Sequence, residues 1–192
     1  MGHQIIATGR SATGIPTGRL AVWWVIASEI VIFGGLLISY LLFRFNHAEA
    51  FGAAAAHTQT WAGALNTFVL LTSSLSIVLA HQAAEKKETA KCFKLIWFTI
   101  GGGAIFMCVK AFEYYTKLSH DFTVQSDIFW GFYFLATGLH GLHVLAGMVI
   151  MAVISLDVRK GKNLQRVELI GIYWHFVDVV WIFLFPLLYI AK

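Results

Sequence analysis

Five long apolar stretches run through this chain, and polar segments separate them. They cover about residues 20–43, 62–81, 95–115, 128–156 and 167–190. An α-helix rises 1.5 Å per residue, so about 20 apolar residues cross the hydrocarbon core of a bilayer. The pattern predicts an all-α fold, an integral membrane bundle of five transmembrane helices. They form a single domain over residues 20–192, behind a polar N-terminal tail of residues 1–19. That tail is glycine-rich and lacks the apolar core of a cleavable signal, so the first span is expected to act as the insertion signal. The fourth stretch is longer than a bilayer needs and is expected to tilt or to begin at the interface. Residues 46–60 are alanine-rich and read as a short interfacial segment. Residues 82–94 and 157–166 are short charged connections.

Orientation follows from the cations. Arg10, Arg19, Lys86, Lys87, Lys91, Lys94, Arg159, Lys160, Lys162 and Arg166 would lie on one side, ten in all, against Arg44, Lys117 and Lys192 on the other. Basic residues collect on the cytoplasmic side, which puts the N-terminus in the cytoplasm and the C-terminus outside. Composition agrees with a membrane protein, being 58% hydrophobic and only 12% charged. The net charge of +4 is explained by these loops, so it gives no reason to expect a nucleic-acid partner. Cys92 and Cys108 show no paired metal or disulfide spacing. No internal repeat of the inverted transporter kind is visible.

Ionisable residues inside the spans are costly unless they face protein, water or one another. Glu29 lies roughly 14 Å along the first span, close to mid-membrane, with no cation one turn away in its own helix. It reads either as a proton-handling carboxyl or as a structural bond between helices. The second span carries Asn66, Thr67, Thr72, Ser73, Ser74 and Ser76, with His81 near its cytoplasmic end, a set suited to close helix packing. Lys110 and Glu113 stand at i,i+3 in the third span and are expected to pair near its outer end, where both can snorkel. Tyr114 and Tyr115 read as interfacial anchors. The fourth span holds His140 and His143, also at i,i+3, flanked by Gly138, Gly141 and Gly147. The fifth holds Glu168, His175 and Asp178. His140, His143 and His175 are placed to converge between the last two spans, as metal or haem ligands or as inter-helix hydrogen-bonding groups.

Several of these segments together resemble subunit III of the haem-copper respiratory oxidases. The run Gly131-Phe132-Tyr133-Phe134-Leu135-Ala136-Thr137-Gly138-Leu139-His140-Gly141-Leu142-His143-Val144 is similar to that family's next-to-last helix. Tyr173-Trp174-His175-Phe176-Val177-Asp178-Val179-Val180-Trp181 is similar to its last helix. Ala27-Ser28-Glu29 with Phe33-Gly34-Gly35, then Leu65-Asn66-Thr67, then Ala111-Phe112-Glu113-Tyr114-Tyr115 follow the others in order. The resemblance covers about residues 20–190, in a short five-helix bacterial form that lacks the first two helices of longer members.

The resemblance implies a non-catalytic subunit of an oxygen-reducing, proton-pumping complex in the bacterial inner membrane. The chain would hold no cofactor of its own beyond structural phospholipid. Haem and copper would sit in subunit I, against which it would pack directly, with other oxidase subunits and membrane phospholipids as further partners and a respiratory supercomplex as an open one. Its role would be to sustain proton uptake and protect subunit I. Glu29 aligns with the family's carbodiimide-reactive carboxyl. Asn66, His81, Lys110, Glu113, His140, His143, Glu168, His175 and Asp178 then read as inter-helix or lipid-associated polar contacts, with no metal ligand and no catalytic residue among them. The alternatives are an accessory protein of nitric oxide reductase from the same family, a haem-b membrane electron carrier using His140, His143 or His175, and a small proton transporter using Glu29 with His175 and Asp178.

Overall fold

The computed structural model describes residues 17–191. Residues 1–16 of the expected tail, with Arg10, and Lys192 lie outside the described residues. Among the described residues the chain is helical, with no strand. Its elements are α1 (Thr17–Asn46), α2 (Ala48–Ala56), α3 (Thr60–Glu85), α4 (Thr89–Leu118), α5 (Ile128–Arg159) and α6 (Gln165–Phe185), closed by a π-helical turn (Pro186–Ile190). Five helices are long and apolar enough to cross a membrane, the last being α6 with its π turn.

These helices run past the apolar stretches that announce them. Thr17–Arg19, expected in the tail, already belong to α1, and α4 begins at Thr89 rather than near residue 95. Once a turn has formed, each further residue adds a hydrogen bond at little cost, so polar flanks continue a helix until the backbone is forced out of it. Asp127 starts α5 by accepting a hydrogen bond from the Phe129 amide at 3.4 Å. Between α5 and α6, Gly161 takes φ +66°, a left-handed conformation that costs glycine nothing, and the chain reverses. Asp157 gathers that connection by accepting from Asn163 at 3.0 Å and Arg166 at 2.8 Å. The alanine-rich segment forms α2, which buries Phe51 and Ala55 and packs against α1, α5 and the C-terminal turn.

α3, α4, α5 and α6 form a four-helix core. α6 touches α3, α5 and α1, while α1 lies at the edge against α5 and α6. The α1 residues Ile26, Phe33 and Tyr40 recur every seven positions and are the buried ones. Trp174 sits fully buried at the centre, its indole N–H donating to Ser73 Oγ at 3.0 Å. Helices approach here because Gly103 and Gly147 leave room for that ring. A Cβ on Gly103 would stand 3.0 Å from it, and one on Gly147 2.9 Å. The hydroxyls of α3 serve packing, as expected. Ser76 and Thr99 are bonded at 2.5 Å across α3 and α4, and Trp181 donates to Thr67 at 3.0 Å.

The C-terminal turn has a local cause. Proline has no N–H, so Pro186 cannot continue the helical ladder, and the chain widens into a π turn in which the Ala191 amide donates to the Pro186 carbonyl. The carbonyls left over are met from elsewhere. Tyr40 donates to Leu187 at 2.8 Å, Arg44 to Ala191 at 2.7 Å and Thr60 to Tyr189 at 3.1 Å. The C-terminal end of α1 is thereby tied to the π turn and Ala191.

Candidate functional site

Glu29 meets its partner from another helix. His143 of α5 places Nε2 3.1 Å from Glu29 Oε2, and the two side chains are 17% and 16% exposed, so the contact is largely sealed from the surroundings. His143 Nδ1 lies 2.8 Å from the Leu139 carbonyl. A carbonyl can only accept, so Nδ1 carries a hydrogen and Nε2 is the nitrogen left to share a proton with the carboxylate. The contact is not aligned as a full hydrogen bond, and Glu29 Oε2 keeps unfilled accepting capacity. The edge of Phe33 packs on the imidazole at 5.3 Å between ring centres, and Tyr173 donates to the His143 carbonyl at 3.2 Å. The arrangement can hold one proton between two side chains at mid-span.

Lys110 and Glu113 do pair, at 3.1 Å, but they do not snorkel. Lys110 is 5% exposed and Glu113 is fully buried. The ammonium also donates to the hydroxyls of Tyr133 at 3.1 Å and Tyr189 at 2.7 Å. It lies within 6 Å of the ring centres of Tyr114, Tyr133, Trp181 and Tyr189. The electron-rich ring faces and hydroxyls replace the water that a snorkelling lysine would reach. Tyr114, expected at the interface, instead turns inward and bonds Thr137 at 2.6 Å, whereas Tyr115 is exposed. The reason is periodicity, since Phe106, Lys110, Glu113 and Lys117 are the buried residues of this half of α4 and Tyr114 borders that stripe.

The three histidines expected to converge face different neighbours. His143 turns to Glu29. His140 is fully buried between the rings of Phe106 (centres 5.3 Å apart) and Trp181 (5.2 Å), and neither ring nitrogen has a hydrogen-bond partner. His175 is bonded through Nδ1 to Ser74 Oγ at 2.7 Å. Asp178, one turn beyond His175, is buried with both carboxyl oxygens unpartnered, and so is the side-chain amide of Asn66. Among the described residues, no three His, Cys, Asp or Glu side chains are grouped so as to hold a metal ion.

Toward the other end of the spans, Glu168 pairs with Arg19 at 2.5 Å and His81 lies 3.6 Å from Glu85 in its own helix. Between the Arg19–Glu168 tie and the Glu29–His143 tie opens an apolar groove of about 370 Å³. Ala21, Val22 and Val25 of α1, Ile150 and Ile154 of α5 and Ile170 of α6 line it, with Arg166 at its rim.

Sequence reasoning missed Tyr133 and Tyr189 as partners of Lys110, and Arg19, Tyr40 and Arg44 as the ties that hold α1. Pro186 was the available signal for an irregular end to α6. Nothing in the spacing of the tyrosines marks them off from lipid-facing aromatics.

Comparison with known proteins agrees with this architecture. The Cytochrome c oxidase subunit III family matches residues 8–192. A cytochrome c oxidase subunit 3 of Thermostichus vulcanus is 37% identical over 168 residues, covering 85% of this chain and 82% of that protein. One of Corynebacterium diphtheriae is 32% identical over 173 residues, covering 87% and 84%. A heme-copper oxidase subunit I+III of Aeropyrum pernix is 28% identical over 188 residues, covering 90% of this chain and 22% of its own length. This multi-pass membrane chain belongs to the cytochrome c oxidase subunit III family and is the subunit III of a haem-copper terminal oxidase, associating there with the other oxidase subunits.

Proposed function

We propose that this subunit holds no redox centre and acts by sustaining proton delivery to subunit I and by keeping that subunit intact through turnover. Haem and copper belong to subunit I, against which the chain packs directly in the inner membrane of a bacterium. The fused subunit I+III of Aeropyrum pernix supports such a direct association. One observation carries the proton-related part: His143 Nε2 stands 3.1 Å from Glu29 Oε2 at mid-span, largely sealed from the surroundings, with no hydrogen bond completed at that carboxylate oxygen. A pair of this kind gains or loses a proton without a large rearrangement, because donor and acceptor are already within reach. Asn66, His81, Lys110, Glu113, His140, Glu168, His175 and Asp178 serve as inter-helix or lipid-associated contacts around it.

The purified oxidase tests this reading. With Glu29→Ala the complex is expected to keep its haem content and initial rate, yet to inactivate after several-fold fewer turnovers than the unsubstituted enzyme. An unchanged turnover lifetime would remove Glu29 from the role.

Structural phospholipid is the second part of the reading. The groove between α1, α5 and α6 has apolar walls suited to an acyl chain, and Arg166, which also pairs with Asp157, stands at its rim within reach of a polar head group. Val25→Trp would fill that groove. The oxidase carrying it is expected to retain fewer phospholipids after mild delipidation, measured by mass spectrometry, and an unchanged lipid count would rule the groove out.

A further inference from the structure

The two halves of α1 are held in different ways. Its C-terminal half is fixed. Tyr40 is buried among the rings of Phe51, Phe129 and Phe132, with centres 5.5, 6.5 and 5.7 Å away. Tyr40 and Arg44 also donate to the Leu187 and Ala191 carbonyls. Leu36, Leu37 and Tyr40 pack so closely on α5, α6 and the π turn that a space of only about 10 Å³ is left between them. The N-terminal half stands off. Below Ile26 the groove of about 370 Å³ parts Ala21, Val22 and Val25 from Ile150 and Ile154. The far wall of that groove is braced, because Asp157 at the end of α5 accepts from both Asn163 and Arg166 at the start of α6. Near its start, α1 is held to this wall by Arg19 and Glu168, whose side chains are 50% and 26% exposed. An ion pair so open to its surroundings adds little stability, so it closes the groove without locking it.

Gly34 and Gly35 stand where the two halves meet. An added Cβ at either position would meet nothing within 4 Å, so no neighbour within the chain requires them to be small. Gly103 and Gly147 differ in this, since the Trp174 ring fills the space beside them. Two consecutive glycines weaken a helix, each having more backbone freedom to lose, and such pairs are where helices bend. Arg19 is roughly 22 Å along the axis from Gly34, and Glu29 roughly 8 Å. A bend at the glycines therefore moves the Arg19 end about three times as far as Glu29.

We propose that the N-terminal half of α1 is a hinged flap, with its hinge at Gly34-Gly35 and its latch at Arg19–Glu168, whose opening widens the α1–α5–α6 groove and draws Glu29 away from His143. Small residues absorb the change at the hinge, while the packed half beyond it stays in place. The same motion thus governs the groove and the Glu29–His143 contact together. Its use as an entrance for phospholipid rests on the groove being the phospholipid site.

The test uses the assembled oxidase in bilayers of phosphatidylethanolamine and phosphatidylglycerol. Spin-labelled residues are placed at Trp24 and Val153, exposed on α1 and α5 beside the groove, and separately at Ile38 and Leu135 across the fixed half. Pulsed electron paramagnetic resonance then reads the two distances. Glu168→Gln is expected to enlarge the long-distance population of the 24–153 pair several-fold and to leave the 38–135 pair unchanged. Adding Gly34→Ala and Gly35→Ala, for which there is room, is expected to bring the 24–153 distribution back toward the closed one. An unchanged 24–153 distribution with Glu168→Gln overturns the latch. Equal widening of both pairs, or opening that the alanines do not reduce, overturns the hinge. Loss of the alanine-bearing subunit from the purified oxidase also overturns it, since the glycines would then serve the close approach of a partner. Exchange of bound phospholipid for deuterated phosphatidylglycerol, followed by mass spectrometry, is expected to be several-fold faster with Glu168→Gln. Widening without faster exchange supports the hinge and removes phospholipid from the groove.

Discussion

Replacing Lys110 alone with methionine is expected to destabilise this subunit by about 3–5 kcal/mol, because it leaves the Glu113 carboxylate buried without its cation. Glu113 is fully enclosed, and only one of its oxygens is hydrogen-bonded, to Lys110 and Tyr189. The tyrosine hydroxyls cannot take over the neutralising role of the ammonium. The double variant Lys110→Met with Glu113→Leu removes both charges and keeps much of the volume, so it is expected to recover most of the loss. Unfolding midpoints in a denaturing detergent titration of the purified oxidase check this. If the single variant is no less stable than the double, the pair does not carry the charge balance of this half of the bundle. The consequence reaches beyond α4, since Tyr189 belongs to the C-terminal π turn that Tyr40 and Arg44 clasp to α1.

Trp174→Ala is expected to cost a similar amount, about 3–5 kcal/mol, by opening a cavity where four helices meet. The ring is fully buried, it lies against the backbones of Gly103 and Gly147, and its N–H is bonded to Ser73. Its removal therefore loosens α3, α4 and α5 from α6 together. The glycines supply a sharper check. Gly147→Val in the natural background places a methine where the ring stands and is expected to cost about 1–3 kcal/mol. In the Trp174→Ala background the same valine occupies the vacated space, so the two losses are not additive. Strictly additive losses would show that Gly147 is not kept small by this ring. The same midpoint measurement on the single and double variants decides it.

Much of the architecture was legible along the chain. Runs of apolar residues announced the five membrane-length helices, because the bilayer core sets a fixed length to fill. The i,i+3 spacing announced the Lys110–Glu113 pair, because that spacing is a property of one helix. The motifs around His140 and His175 announced the family. What failed were statements about depth and rotation. Lys110 was expected to reach outward, and it is held inward by Tyr133 from α5 and Tyr189 from beyond Pro186. His140, His143 and His175 were expected to converge, and they contact Trp181, Glu29 and Ser74 respectively.

Sequence by itself determined which segments are helices, which of them are long and apolar enough to span a membrane, and which polar residues fall within those segments. These follow from hydropathy and from the 3.6-residue period, both of which are local. Only the tertiary structure decided that Glu29 finds His143, that Arg19 finds Glu168, and that Tyr40 and Arg44 cap the carbonyls of Leu187 and Ala191. Those pairings depend on how far each helix turns about its axis and slides along its neighbours. Rotation and offset are set jointly by all the packed faces, with Trp174 wedged against Gly103 and Gly147 at their centre. No single helix carries that information in its own spacing.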